Sequence, residues 1–175
     1  MNKMKRTAVL ALVLALLTAV LCSCGQGEKV LTSSDGKYQM TVPGIWTDKL
    51  ENAGDSAILS AGNASGSQYI MVSELDAASI GELSLEEYSE TFSTYFAAQM
   101  TDPTVEKPAA VTVNGYSGYT TQVSGVSQEV GLTSWITMLD YDEAVPCLIA
   151  WTSTDKAESG KAELDQVIQS FGPAV

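Results

Sequence analysis

The sequence predicts an α+β domain in which an antiparallel sheet of about 6–8 strands lies between helices. Three observations support this fold class. Apolar runs of strand length alternate with short turn signals, two segments have the 3.6-residue periodicity of a helix, and two late strands are apolar on both faces. A strand that is apolar on both faces has to be covered on both faces, so helices are expected on each side of the sheet.

Two turn signals predict hairpins. The pair Asp35-Gly36 separates two short apolar runs, and Asn114-Gly115 supplies the residues that a type I′ turn demands. No internal repeat and no long linker divides the chain, so the hairpins belong to one domain.

The first predicted helix runs from Ser84 to Thr101. Ser84 and Glu87 have the spacing of a capping box, and apolar residues then recur every three or four positions, with Tyr95 among them. Pro103 is expected to end this helix.

Two long strands and a closing helix complete the predicted domain. The strands cover residues 128–141 and 145–152, and both are apolar on each face. The helix begins near Asp155, and its apolar stripe ends at Phe171, where a Gly-Pro pair stops it.

The N-terminal segment predicts secretion and a lipid anchor. Three basic residues within the first six precede an uncharged apolar run from Ala8 to Leu21, which has the length of a secretory signal and is short for a bilayer span of about 20 residues. The run ends at Leu21-Cys22-Ser23-Cys24, which is similar to a bacterial lipobox. A small residue at Ser23 admits the peptidase, and the Cys24 thiol carries the lipid.

This interpretation divides the chain into three parts. Residues 1–23 are the predicted signal peptide, 24–29 a lipidated tether, and 30–172 a single α+β domain. We therefore expect the domain on the extracytoplasmic face of the cell membrane, in a Gram-positive bacterium, with the lipid as its membrane contact. An uncleaved membrane-spanning anchor is the open alternative, because the uncharged stretch continues to Gly27.

Composition excludes several classes of function. Beyond the predicted signal peptide, six lysines face 21 acidic residues, and no arginine follows Arg6. Such a surface repels phosphate backbones, so no nucleic-acid partner is expected. The chain has no histidine, which removes the commonest general base and the usual nucleophile triads. No catalytic residue, cofactor or metal site is predicted.

The remaining cysteines do not form a disulfide framework. After cleavage only Cys24 and Cys147 would remain, and Cys24 is the lipid acceptor. Cys147 lies in an apolar strand, so we expect a buried and unreactive thiol.

A binding surface is expected around two turns. Tyr116 and Tyr119 follow the Asn-Gly turn, and Asp140, Asp142 and Glu143 crowd the loop between the two late strands. Core or hairpin packing is the favoured role for the tyrosines. For the acidic loop, a solvated turn is favoured over a calcium site, which is left open, because the loop lacks the glycine and the final bidentate glutamate of a calcium loop.

Three short motifs occur together in this chain. They are the segment from Tyr38 to Trp46, with its strand followed by Pro-x-x-Trp, the Val-Asn-Gly-Tyr turn ending at Tyr116, and a closing helix that finishes at Phe171. In this combination they resemble the PsbP-like family. The resemblance implies an antiparallel sheet between helices and implies no catalytic residue.

Together these features predict a non-enzymatic binding or accessory module at the cell surface, with a protein or small molecule as its partner. The alternative is an envelope-associated hydrolase that uses carboxylates, which would need two acids converging in a concave pocket.

Overall fold

The computed structural model describes residues 27–48, 50, 53–63, 65 and 67–175. The predicted signal peptide and the predicted lipid acceptor Cys24 lie outside the described residues.

A small and a large sheet build the domain. The small sheet has three strands in the order β1-β2-β11, which are β1 (Glu28–Thr32), β2 (Tyr38–Pro43) and β11 (Gly172–Pro173). The large sheet has eight strands, namely β3 (Thr47–Asp48), β4 (Leu59–Gly62), β5 (Gln68–Asp76), β6 (Thr101–Val105), β7 (Ala109–Val113), β8 (Tyr116–Ser127), β9 (Val130–Leu139) and β10 (Ala144–Ser153).

All strand pairs in the described residues are antiparallel. The large sheet has the order β3-β4-β5-β10-β9-β8-β6, and β7 pairs with the same edge of β8 as β6 does. The long strand β8 therefore carries two short neighbours in succession, and β7 lies at the end where β8 begins.

Helices cover both faces of the large sheet, as the sequence predicted. Helix α1 (Leu85–Ala97) packs mainly on β8, while helix α2 (Ala157–Gln169) packs on β10 together with the small sheet on the other face. Short 3₁₀ turns at Ala77–Ile80 and Thr154–Lys156 precede the two helices. Neither helix in the described residues is long and apolar enough to cross a bilayer.

Strands β9 and β10, which are apolar on both faces, separate two hydrophobic cores. Trp135, Leu139 and Leu148 belong to the cluster on the α2 face, whereas Met138 and Cys147 belong to the cluster on the α1 face. The alternation predicted for β9 and β10 is confirmed. Both faces of the two strands are therefore covered, and the small polar residues Thr133, Ser134, Thr137 and Thr152 are buried with the apolar ones.

Helix α1 begins as predicted and ends earlier. The Ser84 Oγ accepts a hydrogen bond from the Glu87 N–H at 3.3 Å, and the Glu87 carboxylate accepts one from the Ser84 N–H at 2.9 Å, which closes the capping box. The helix stops at Ala97, and the residues that were expected to continue it lead into β6. Pro103 lies within this edge strand, where a missing N–H removes no ladder bond.

The buried face of α1 also differs from the prediction. Tyr95 is 70% exposed, so its predicted place in the core is wrong. Ser89, Ser93 and Ala97 are buried against β8 instead. These small side chains let the helix approach the sheet closely, which rotates the apolar stripe away from Tyr95.

Two turn residues were predicted as strand. Gln128 and Glu129 have φ values of 49° and 67°, and they form the two-residue turn between β8 and β9. Tyr141 lies beyond the end of β9 and makes only an isolated bridge to Ala144. The Gly-Pro pair that was expected only to stop α2 also pairs with β2 as strand β11.

Candidate functional site

Several elements begin or end at one end of the large sheet. Strand β5 ends there at Asp76, β8 begins there at Tyr116, and the loop Asp140–Glu143 joins β9 to β10. We call this region the turn end. It collects all five residues of the predicted binding surface.

The loop Asp140–Glu143 is held by its own backbone and by β8. The Asp140 N–H donates to the Ser117 carbonyl at 2.9 Å, and the Glu143 N–H donates to the Tyr141 carbonyl at 2.7 Å. Asp142 has a φ of 59°, and its N–H donates to the Asp140 carboxylate at 3.3 Å. The acidic side chains of Asp140, Asp142 and Glu143 are exposed. Within the described ranges, no group of three histidine, cysteine or acidic side chains is arranged to hold a metal ion.

The two predicted tyrosines lie on opposite faces of the sheet. Residues three apart on a strand point to opposite sides. Tyr116 stacks on Tyr141 on the α2 face, with 3.7 Å between ring centroids. Tyr119 has the same phase as Thr121, whose hydroxyl lies 3.3 Å from the Ser89 hydroxyl of α1, so Tyr119 lies on the α1 face.

Tyr116 and Tyr141 belong to a larger aromatic cluster. Tyr141 meets Tyr38 edge-on at 5.6 Å, and Tyr38 stacks on Phe171 at 5.3 Å. Burial, and after it the neighbouring Tyr116, raises the pKa of Tyr141 to about 12. The Tyr141 hydroxyl is buried and has no hydrogen-bond partner among the described residues.

A charged pair borders this cluster. The Lys37 Nζ lies 2.8 Å from the Glu74 carboxylate, and the Tyr38 hydroxyl donates to the same carboxylate. The ammonium of Lys37 and then the hydroxyl of Tyr38 lower the pKa of Glu74. Burial, followed by the bond to Glu74, raises the pKa of Tyr38.

An open depression of about 760 Å³ lies beside the pair. Its lining includes Lys37, Tyr38, Glu74, Tyr141 and Glu143. Sequence reasoning missed Lys37, Tyr38 and Glu74 as members of this region. No local signal marks them, because they come from two different sheets that meet only after folding.

A second open groove, of about 480 Å³, lies on the α1 face of the turn end. It is bordered by the first turn of α1, by β7, by the start of β8 and by Asp140. Tyr119 lies in its lining. The charged side chains that line it are Glu86 and Asp140, and both are acidic.

The structure therefore distributes the predicted surface over two depressions. Tyr119 and Asp140 line the groove on the α1 face, Glu143 lines the other depression, and Tyr116 supports the turn through its contact with Tyr141. Asp142 stands on the loop between them.

Glu74 and Cys147 are unsuited to act as a general acid and as a nucleophile, respectively. Glu74 is held ionised, whereas a general acid needs a raised pKa. Cys147 is 1% exposed, and burial raises the pKa of its thiol to about 12. The predicted buried thiol is confirmed, and it offers no nucleophile.

Comparison with known proteins identifies the fold. No protein-family model matches the sequence, and no curated protein matches it. Among solved structures, the chain is similar to cyanobacterial PsbP (CyanoP) from Synechocystis sp. PCC 6803, with a TM-score of 0.66, 15% identity, and coverage of 87% of this chain and 98% of that one.

Two further structures have the same architecture. LpqN, a protein involved in cell envelope biogenesis of Mycobacterium tuberculosis, has a TM-score of 0.59 at 13% identity and covers 85% of this chain and 91% of its own. The Ran-binding protein Mog1p of Saccharomyces cerevisiae has a TM-score of 0.60 at 12% identity, over 85% and 96% of the two chains. The fold is PsbP-like, as the sequence motifs suggested, and at these identities the likeness concerns the fold alone.

Proposed function

We propose that the chain is a non-enzymatic binding or accessory module, held by lipid on Cys24 at the extracytoplasmic face of a Gram-positive cell membrane. The turn end would recognise a protein or small molecule. The observation that carries this proposal is the pair of open, acidic depressions on either side of the loop Asp140–Glu143.

The similar structures are compatible with this role. One is involved in cell envelope biogenesis and another binds Ran, and each statement belongs to that protein. An accessory or binding module is the function that the fold fits, whereas neither a Ran-like partner nor a photosystem follows for this chain.

The position of the predicted tether supports a turn end that is directed away from the membrane. Only four residue steps separate Cys24 from the start of β1 at Glu28, a reach of about 14 Å at most. Glu28 pairs with Pro43 at the far end of β2, whereas Tyr38 at the other end of β2 contacts the turn end. Since β2 spans about 17 Å, a tether at Glu28 leaves the turn end directed away from the membrane.

Intact mass spectrometry of the protein extracted from its membrane tests the anchor. We expect a mature chain that begins at Cys24 and carries diacylglycerol. Cys24→Ser should abolish the lipid, whereas the control Cys22→Ser should keep it. An unmodified chain that begins before Cys24 would contradict the anchor.

The second candidate is an envelope hydrolase that uses carboxylates. It draws on one observation, since Glu74, Asp76 and Glu143 line the same depression. Its test is release of reducing ends from purified cell-wall polysaccharide. Release that is lost in Glu143→Gln would favour the hydrolase over the binding module.

A further inference from the structure

Strand β7 is an unprotected edge. Its sequence, Ala-Ala-Val-Thr-Val, contains no charge and no proline, and its pairing with β8 is regular over all five residues. Proteins normally protect sheet edges with charges, prolines, bulges or very short strands, because a free edge pairs readily with another chain.

The other edges in the described residues have such protection. Strand β6 contains Pro103 and a register shift, and β3 and β11 have two residues each. Strand β1 begins with Glu28 and Lys29. Only β7 among them combines length, regular pairing and an uncharged sequence.

The register identifies the free backbone groups of β7. The Asn-Gly turn makes Val113 and Tyr116 the closing hydrogen-bonded pair, and bonded pairs then recur at every second residue. The N–H and C=O groups of Ala110 and Thr112 therefore point outward. The Ser117 carbonyl accepts a hydrogen bond from the Asp140 N–H on the opposite side of β8. This agrees with the alternation of bonded and outward-pointing residues along the hairpin.

The groove beside β7 indicates the charge of a partner. Ala110 and Thr112 are exposed on its floor, and the charged side chains in its lining, Glu86 and Asp140, are both acidic. The segment from residue 50 to residue 106 contains ten acidic residues and no lysine or arginine, and Lys107 is the one basic residue between this segment and β7. A second copy of this chain would bring the same negative charges together, so a cationic segment is favoured.

We propose that β7 accepts an extended cationic segment of a partner protein as an additional strand of the large sheet. Backbone bonds would form with Ala110 and Thr112. Side chains of an added strand point to one face at every second position, so alternate lysines or arginines would reach Glu86 and Asp140. This inference rests on the proposed binding function and specifies its partner and its mode of recognition.

A synthetic probe tests strand addition directly. An acetylated and amidated heptapeptide of alternating lysine and valine is titrated into isotope-labelled full-length protein in a nonionic detergent, with a glutamate–valine peptide as the charge control. We expect saturable amide shifts confined to β7 and its groove. Hydrogen exchange at Ala110 and Thr112 should slow by at least about tenfold, the effect of roughly one added backbone hydrogen bond.

Matched variants distinguish peptide binding at the β7 edge from general electrostatic attraction to the acidic surface. Thr112→Pro removes an outward N–H and should weaken peptide binding about tenfold or more, whereas Val30→Pro, at an outward position of edge strand β1, should leave binding unchanged. The double variant Glu86→Gln with Asp140→Asn leaves the backbone intact and should also weaken binding.

Three results would overturn the inference: no binding, shifts spread over the acidic surface, or binding that Thr112→Pro leaves unchanged. Concentration-dependent β7 shifts without peptide, with a dimer in sedimentation, would assign the edge to a second copy and also overturn it. If partners still cross-link to the turn end, the binding function stands without strand addition.

Discussion

The ring of Tyr116 stacks on the ring of Tyr141, with 3.7 Å between centroids and 11° between planes. This contact joins the β7–β8 hairpin to the loop between β9 and β10. Tyr141 also meets Tyr38 of the small sheet, so the stack connects three separate parts of the chain. The loop that carries Asp140 and Glu143 is therefore positioned by packed aromatic rings.

Two hydroxyl deletions in this cluster should have opposite effects. Tyr38→Phe removes the donor to Glu74 and should lower the free energy of unfolding by about 1–2 kcal/mol. Tyr141→Phe removes a buried hydroxyl that has no partner in the described structure, so stability should stay equal or rise by up to about 1 kcal/mol. Urea unfolding measures both. A larger loss for Tyr141→Phe than for Tyr38→Phe would contradict the assigned contacts.

The lowered pKa of Glu74 predicts a pH dependence. Because Lys37 and Tyr38 stabilise the ionised form in the folded state, the contribution of Glu74 is present above its ordinary pKa of 4.5 and is lost as the pH falls through the lowered folded value. The stability difference between wild type and Glu74→Gln should therefore be largest near neutral pH and should shrink below about pH 4.5.

Unfolding curves at several pH values measure this difference. Glu90→Gln, at an exposed position of α1, is the control and should give a smaller difference at neutral pH. A difference for Glu74→Gln that does not change with pH would contradict the ion pair.

Gly118 should be required for the close approach of β8 and β9. A Cβ at this position would lie 2.1 Å from the Met138 carbonyl oxygen, which belongs to the backbone and cannot move aside cheaply. Gly118→Ala should cost about 2–4 kcal/mol of stability. Gly27→Ala, where a Cβ meets nothing within 4 Å, is the control and should change stability by less than about 0.5 kcal/mol. Equal effects would contradict the strand spacing.

Cys147 should report on unfolding. Its thiol is buried, and its pKa is raised to about 12, so a maleimide reagent should not label it in the folded protein at neutral pH. Labelling should begin across the same urea range as loss of tryptophan signal. Rapid labelling without denaturant would show that β10 is accessible from one face.

Local signals predicted the parts of the fold that depend on local physics. The Asn114-Gly115 turn, the Ser84 capping box and the two-faced strands were all readable, because a φ angle, a cap or an alternation is set within a few residues. The turn at Gln128 was missed because neither of its residues is a glycine, and the sheet pairing imposes the positive φ values.

The candidate site could be predicted only in part, because some of its residues meet only after folding. The sequence placed Tyr116, Tyr119 and the acidic loop near two turns, and the structure brings these turns together. It could not place Lys37 beside Glu74, since 37 residues separate them and only the packing of two sheets joins them. The free edge of β7 was equally hidden, because it depends on which strand pairs with β8.

Photo-crosslinking in the native membrane tests most directly that the turn end binds a partner. A benzophenone amino acid is placed at Tyr119 and, as the control, at Gln128 at the opposite end of the sheet. We expect a discrete cross-linked product from position 119 that weakens when Glu86→Gln and Asp140→Asn are added, and none from position 128. No product from position 119, or equal products from both positions, would contradict a binding role for the turn end.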